Sequence, residues 1–206
     1  SSRLKQGETP EKLNALFDEW IGKASAGDWV QPMGICGVYP CQSEGDEVIV
    51  YDPDDLARVV CKFGFSLVIG AGKKDTVCAA QYFHPVASGQ FDAIGVQITT
   101  SGPHVDYHIT KFREAGDSES TLYLQGISDR VAEDLADYVH GLMRARLGFD
   151  AKHGIRWSPG YPAMADTKYN RTILDTLHAT ELIGVRITEA GEFSPTGTTA
   201  AVVCFH

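Results

Sequence analysis

Residues 91–147 read FDAIGVQITTSGPHVDYHITKFREAGDSESTLYLQGISDRVAEDLADYVHGLMRARL, and within them the apolar spacing changes from every second residue to every third or fourth. In residues 91–100, Ile94, Val96 and Ile98 alternate with Gly95 and Gln97, which is the pattern of a strand. Ser101 to Pro103 closes it and opens a helix carrying Val105, Ile109 and Phe112. A longer helix follows over residues 118–147. Its apolar positions are Leu124, Ile127, Val131, Leu135, Tyr138 and Leu142, its opposite side carries Arg130, Glu133, Asp137 and His140, and Gly148 stops it.

Toward the N-terminus, Thr9 and Pro10 open a helix whose stripe is Leu13, Leu16, Phe17, Trp20 and Ile21, ended by residues 22–27. Residues 34–39 and 47–51 are β-prone and joined by a turn over 40–46. Asp52 and Pro53 start a further short helix with Leu56, Val59, Val60 and Phe63 on one side. Apolar runs at 65–70 and 77–83 flank Gly70-Ala71-Gly72, which with Lys73 and Lys74 lacks the Gly-Lys-Ser/Thr of a phosphate loop and reads as a plain turn. Toward the C-terminus come a helix over 167–182, Gly184, and strands at 185–188 and 200–205. Adjacent strands mixed with helices predict an α+β fold: one curved domain over residues 1–206, with a mostly antiparallel twisted sheet and flanking helices.

Composition narrows the functions. A net charge of −9 argues against nucleic acid, which needs an excess of Lys and Arg on some face. One basic run, Arg144, Arg146, Lys152, His153 and Arg156 against Asp150, is either solvated surface or an attraction for an acidic partner. The five cysteines are scattered without a C-x-x-C pair, so they are expected to be reduced, mostly buried, and cytoplasmic in setting. No apolar run reaches the ~20 residues of a membrane span, and no signal peptide is expected. His104 and His108 lie at i and i+4, but the H-E-x-x-H arrangement is missing and a solvated helix face is expected. No G-x-S-x-G elbow is present either.

The most distinctive stretch is Gly154-Ile155-Arg156-Trp157-Ser158-Pro159-Gly160-Tyr161-Pro162. Two prolines around Gly160-Tyr161 exclude a helix and disfavour a central strand. It reads as a stiff loop immediately before a helix, whose first amides suit an anion. Arg156 is a fork suited to a carboxylate, and Tyr161 offers a ring face and a hydroxyl. From the residues alone, a ligand-gripping loop and an ordinary structural turn both remain open.

The R-x-x-x-G-Y-P-A pattern after Gly-Ile, with the helix Asp129-Arg130-Val131-Ala132-Glu133 through His140, resembles the activation domain of cobalamin-dependent methionine synthase. Weaker echoes are Gly37-Val38-Tyr39-Pro40, Gly45-Asp46-Glu47, Ile187-Thr188-Glu189 and Phe205-His206, in one register from Glu8 to the end. The resemblance implies a shallow S-adenosylmethionine site on a curved α/β fold. Arg156 would hold the ligand carboxylate, Glu133 would be an acidic contact, and Tyr161 would line the site, completed by backbone around Trp157 to Gly160. It also implies partners: a cobalamin-binding domain or corrinoid protein, and flavodoxin or another low-potential reductant, so that the domain alone is not a complete enzyme. The chain departs from the family after Gly-Tyr-Pro-Ala, where Met164 to Asn170 keeps only the acid, Asp166, in register. The family's N-terminal aspartate contact and a tyrosine beyond the last strand would fall outside this sequence.

A second reading keeps the fold for docking a corrinoid protein without the ligand; a third is an unrelated metal- or cysteine-dependent enzyme. The spacing of Cys and His separates the third from the others. Elemental analysis of purified protein should find no stoichiometric zinc, iron or copper. About one metal per chain, lost when His104 and His108 are replaced, would overturn that expectation.

Overall fold

The computed structural model describes residues 10–69, 76–150 and 154–205. In chain order the elements are α1 (Pro10–Ala26), β1 (Met33–Glu44), β2 (Glu47–Tyr51), β3 (Val59–Gly64), β4 (Leu67–Ile69), β5 (Thr76–Cys78), β6 (Asp92–Thr100), α2 (His104–Glu114) and α3 (Ser118–Leu147). Then follow β7 (Ile155–Trp157), α4 (Tyr169–Thr176), α5 (Ala179–Ile183), β8 (Arg186–Ile187), β9 (Phe193–Ser194) and β10 (Thr198–Cys204). Six strands form one sheet in the order β3-β2-β1-β6-β10-β7, with antiparallel pairing throughout. The fold is α+β, as expected.

β6 lies mid-sheet, pairing Ile98 with Ile35 of β1 and Val96 with Val202 of β10. Its alternation separates two cores. Ile94, Val96 and Ile98 are fully buried with Phe63, Met164 and Ile173, on the face covered by α4 and α5. Each such side chain contributes about 1.5–3 kcal/mol relative to exposure. The opposite face packs Val203 and Phe205 against Val139 and Met143 of α3. α1 and α2 add a satellite core of Ala24, Val105, Ile109 and Leu124, where Trp20 and Trp29 meet at 6.5 Å.

α3 keeps its expected bounds and ends at Gly148 in the left-handed region (φ 79°). Its buried face includes Leu124 and Ile127 of the expected stripe and then departs from it. Ser128, Ala132, Ala136, Val139, His140 and Met143 are buried, while Tyr138 and Leu142 are exposed. The helix approaches the sheet through small residues, so the larger apolar side chains fall beside the contact. Thr99 Oγ1 donates to the Ala132 carbonyl at 2.8 Å, and Gln97 Nε2 to the Ala136 carbonyl at 3.1 Å. The Ser101 and Ser128 hydroxyls share a hydrogen bond of 2.7 Å. Gly197 presses against both serines, leaving no space for a Cβ.

Other expectations need correction. α1 continues through Gly22 to Ala26, because Trp20 and Ala24 bury the turns on either side of it. β1 runs on through Pro40: β2 pairs only from Cys41, so one side of the strand has no ladder at the proline. The expected helix after Pro53 is a turn followed by β3; the Asp52 side chain accepts from the Asp54 amide and pairs with Arg58. The last helix is broken into α4 and α5 at His178, which takes a left-handed conformation (φ 50°). Of the expected solvated pair, His104 is exposed and His108 is half-buried. His108 stacks on Trp29 at 5.0 Å, and His104 Nδ1 lies 3.2 Å from the Asp28 carbonyl. Cys41, Cys78 and Cys204 are buried, whereas Cys36 is exposed. Gly70 to Lys74, Thr9, Lys152 and His153 lie outside the described residues. Among the described residues no helix is long and apolar enough to cross a membrane, and no group of three His, Cys, Asp or Glu could hold a metal ion.

Two outcomes test this packing. Gly197→Ala should destabilise the fold by about 1–3 kcal/mol, measured by urea denaturation, because the added methyl overpacks the serine contact. His140 is buried beneath Gly154, and burial, with Arg144 and Arg156 nearby, lowers its pKa to about 4 from 6.5. The unfolded chain therefore binds the proton first. His140's contribution is fully present above pH 6.5 and is lost as pH falls toward 4. Between pH 6.5 and 5 the urea midpoint should fall, and His140→Gln should flatten that slope.

Candidate functional site

Arg156 reaches its position through strand alternation. β7 pairs with β10 at the sheet edge, Arg156 opposite Val203 and Trp157 opposite Val202. Val203 faces α3 and Val202 faces the other core. Arg156 therefore points at α3 and Trp157 away from it. Nη1 of Arg156 donates to Asp137 Oδ1 at 2.8 Å and Nη2 to Glu133 Oε2 at 3.0 Å. The Arg156 side chain is 20% exposed, against 53% for Glu133 and 74% for Asp137. Trp157 packs on Phe65 at 5.4 Å and Tyr82 at 6.1 Å.

After Trp157 the chain leaves β10. β7 pairs only Val202 to Cys204, so no β7 partner covers the outer edge of β10 from Thr198 to Ala200. A groove of about 280 Å³ opens there. Asp129, Ala132 and Glu133 of α3 form one wall, Ser158, Pro159 and Tyr161 another, and Asn170, Phe193 and Thr198 to Ala200 complete it. The turn is fixed from below: Pro159 and Met164 are buried, Gly160 N–H donates to the Met164 carbonyl at 2.8 Å, and Gly160 holds φ 88°. Tyr161 stands 68% exposed at the rim.

The groove is acidic on its helical side. Asp129 and Glu133 are four residues apart on one face of α3, and burial followed by the Glu133 charge raises the Asp129 pKa. A cation here would relieve that repulsion, and Arg156 beyond Glu133 offers the opposite charge. The arrangement suits a ligand carrying both signs. The helix after the loop plays no such part: α4 starts only at Tyr169, and Asp166 already accepts from the Lys168 amide at 2.9 Å.

The structure thus brings together Glu133, Arg156 and Tyr161 of the expected residues. Trp157 lies on the opposite face of the sheet, and Gly160 shapes the turn with its amide already used. Asp129, Asp137, Asn170, Phe193 and residues 198–200 were not expected. Asp129 and Asp137 had a signal, since they flank Glu133 at i−4 and i+4. The edge of β10 had none, because strand order is not written in any single strand.

The crystal structure of the MetH reactivation domain bound to AdoHcy superposes with a TM-score of 0.82 at 23% identity, covering 97% of this chain and 67% of that one. The family model described as vitamin B12 dependent methionine synthase, activation domain, matches residues 2–206. With the match spanning the R-x-x-x-G-Y-P turn, α3 and the sheet between them, this chain belongs to the family of methionine synthase activation domains.

Proposed function

We propose that the groove between α3 and the 158–161 turn binds S-adenosylmethionine and presents its methyl group to cobalamin held by a partner, a cobalamin-binding domain or a corrinoid protein. The observation that supports this reading most is one open trough lined by Asp129, Glu133 and Tyr161, with Arg156 paired to Glu133 at its edge. The ligand has a carboxylate for Arg156, an ammonium and a sulfonium for the two acids, and a ring that can lie against Tyr161 or the free edge of β10. That the related reactivation domain was crystallised with AdoHcy supports the same ligand class here. Residues 1–206 would act in this as one cytoplasmic domain.

The residues of this chain bind and orient. Methyl transfer needs the sulfonium carbon aligned with the acceptor, so the ligand must be held by one side and exposed on the other. A turn anchored through Pro159 and Met164 does this without covering the ligand. Cobalamin on the partner would supply the acceptor for the methyl group, with flavodoxin or another low-potential donor as the electron source for its cob(II) state. A docking-only reading, without the ligand, draws support from one observation: both terminal nitrogens of Arg156 already have carboxylate partners.

A charge-assisted pair contributes roughly 1.5–3 kcal/mol, so Arg156→Ala should weaken S-adenosylmethionine binding about ten- to a hundredfold by calorimetry, and Glu133→Gln less. With a cob(II)alamin-loaded corrinoid partner and a reductant, methylcobalamin should form only when this chain is added, and not with Tyr161→Ala or Arg156→Ala. No heat at millimolar ligand would favour the docking-only reading. Free cobalamin methylated equally well without a partner would remove the docking claim.

A further inference from the structure

The two carboxylates on Arg156 are not equivalent. Glu133 lines the groove, whereas Asp137, one turn further along α3, holds the guanidinium from outside it. Arg156 itself projects from a three-residue edge strand that, among the described residues, pairs with β10 alone. A long side chain on so short a strand needs a second fixed point if its fork is to face one direction. The bond from Nη1 to Asp137 Oδ1, at 2.8 Å, is that point. An ion pair with a partner 74% exposed adds little to folding stability, so orientation is the effect the geometry leaves to it.

We propose that Asp137 is a positioning residue, which fixes Nη1 of Arg156 from behind so that Nη2 is presented to the carboxylate of an amino-acid zwitterion in the groove. The proposal rests on the ligand reading above and goes beyond it by naming a residue that never touches the ligand. The zwitterion enters the Glu133–Arg156 pair, its carboxylate taking Nη2 and its ammonium taking Glu133. Two ion pairs replace one with no change in net charge, while the Asp137 bond stays. Were Asp137 absent, the guanidinium would follow whichever carboxylate was nearer and the ligand would have to orient it.

The test uses two ligands on the intact chain: S-adenosylmethionine, and 5′-methylthioadenosine, which lacks the amino-acid end. Asp137→Ala should weaken the first about three- to tenfold and the second less than about twofold, and Asp137→Glu should restore most of the loss. In an Arg156→Ala background, Asp137→Ala should add nothing. Arginine side-chain nitrogen NMR of the ligand-free protein should show slow rotation of the Arg156 Nη groups, made fast by Asp137→Ala. Equal weakening of both ligands, unchanged S-adenosylmethionine affinity, or additive losses in the double variant would overturn the positioning role and leave the ligand reading intact. A wild-type chain that binds neither nucleoside would instead sink the ligand reading. In that event, Arg156 rotation unaffected by Asp137→Ala would refute the positioning role by itself.

Discussion

The hydrogen bonds from Thr99 and Gln97 to the carbonyls of Ala132 and Ala136 join two elements whose repeats nearly agree. Four residues of α-helix advance about 6.0 Å and two residues of strand about 6.6 Å. Ser128, Ala132 and Ala136 can therefore meet Ser101, Thr99 and Gln97 in sequence, a helix row running against a strand row. The match holds only while the helix row stays small. A larger side chain at Ala132 or Ala136 would lift α3 from the sheet and break both bonds. Gly34 of β1 and Gly95 of β6 follow the same rule, since the Val139 and Met143 side chains come close above them.

The groove inherits its geometry from this seam. Asp129, Glu133 and Asp137 each follow a member of the small row by one residue, about 100° around the helix. Fixing Ser128, Ala132 and Ala136 against β6 therefore aims the acidic row at the sheet's far edge, where β10 and then β7 are added. Arg156 closes the circuit by returning from that edge to α3. The charged residues do not build the framework; they occupy positions that an apolar and hydroxyl-lined contact has already set.

Legibility of the sequence followed the strength of the local pattern. β6 and α3 were readable because alternation and helical spacing persisted over many residues, with Gly148 marking an end. On α3 the large apolar residues mark burial at Leu124 and Ile127 but not beyond, because close packing on a sheet selects Ser128, Ala132 and Ala136. β3 was mistaken for a helix because Val59, Val60 and Phe63 satisfy both spacings over so short a run, and the conformation at His178 has no glycine to announce it. At the site, Glu133, Arg156 and Tyr161 were legible through a motif. The residues opposite them come from 60 or more positions away in places, Asp129 to Thr198 for instance, and depend on which strand ends the sheet.

The alternation of β7 gives the groove an optical counterpart on the other side of the sheet. Of three tryptophans, Trp20 and Trp29 share the α1–α2 core, while Trp157 sits with Phe65 and Tyr82, next in sequence to Arg156 and back to back with it. A strand this short moves as one piece. Any shift that tightens Arg156 toward α3 must tilt the Trp157 indole against its aromatic neighbours. The chain thus carries its own fluorophore one residue from Arg156, on the face of the sheet opposite the groove.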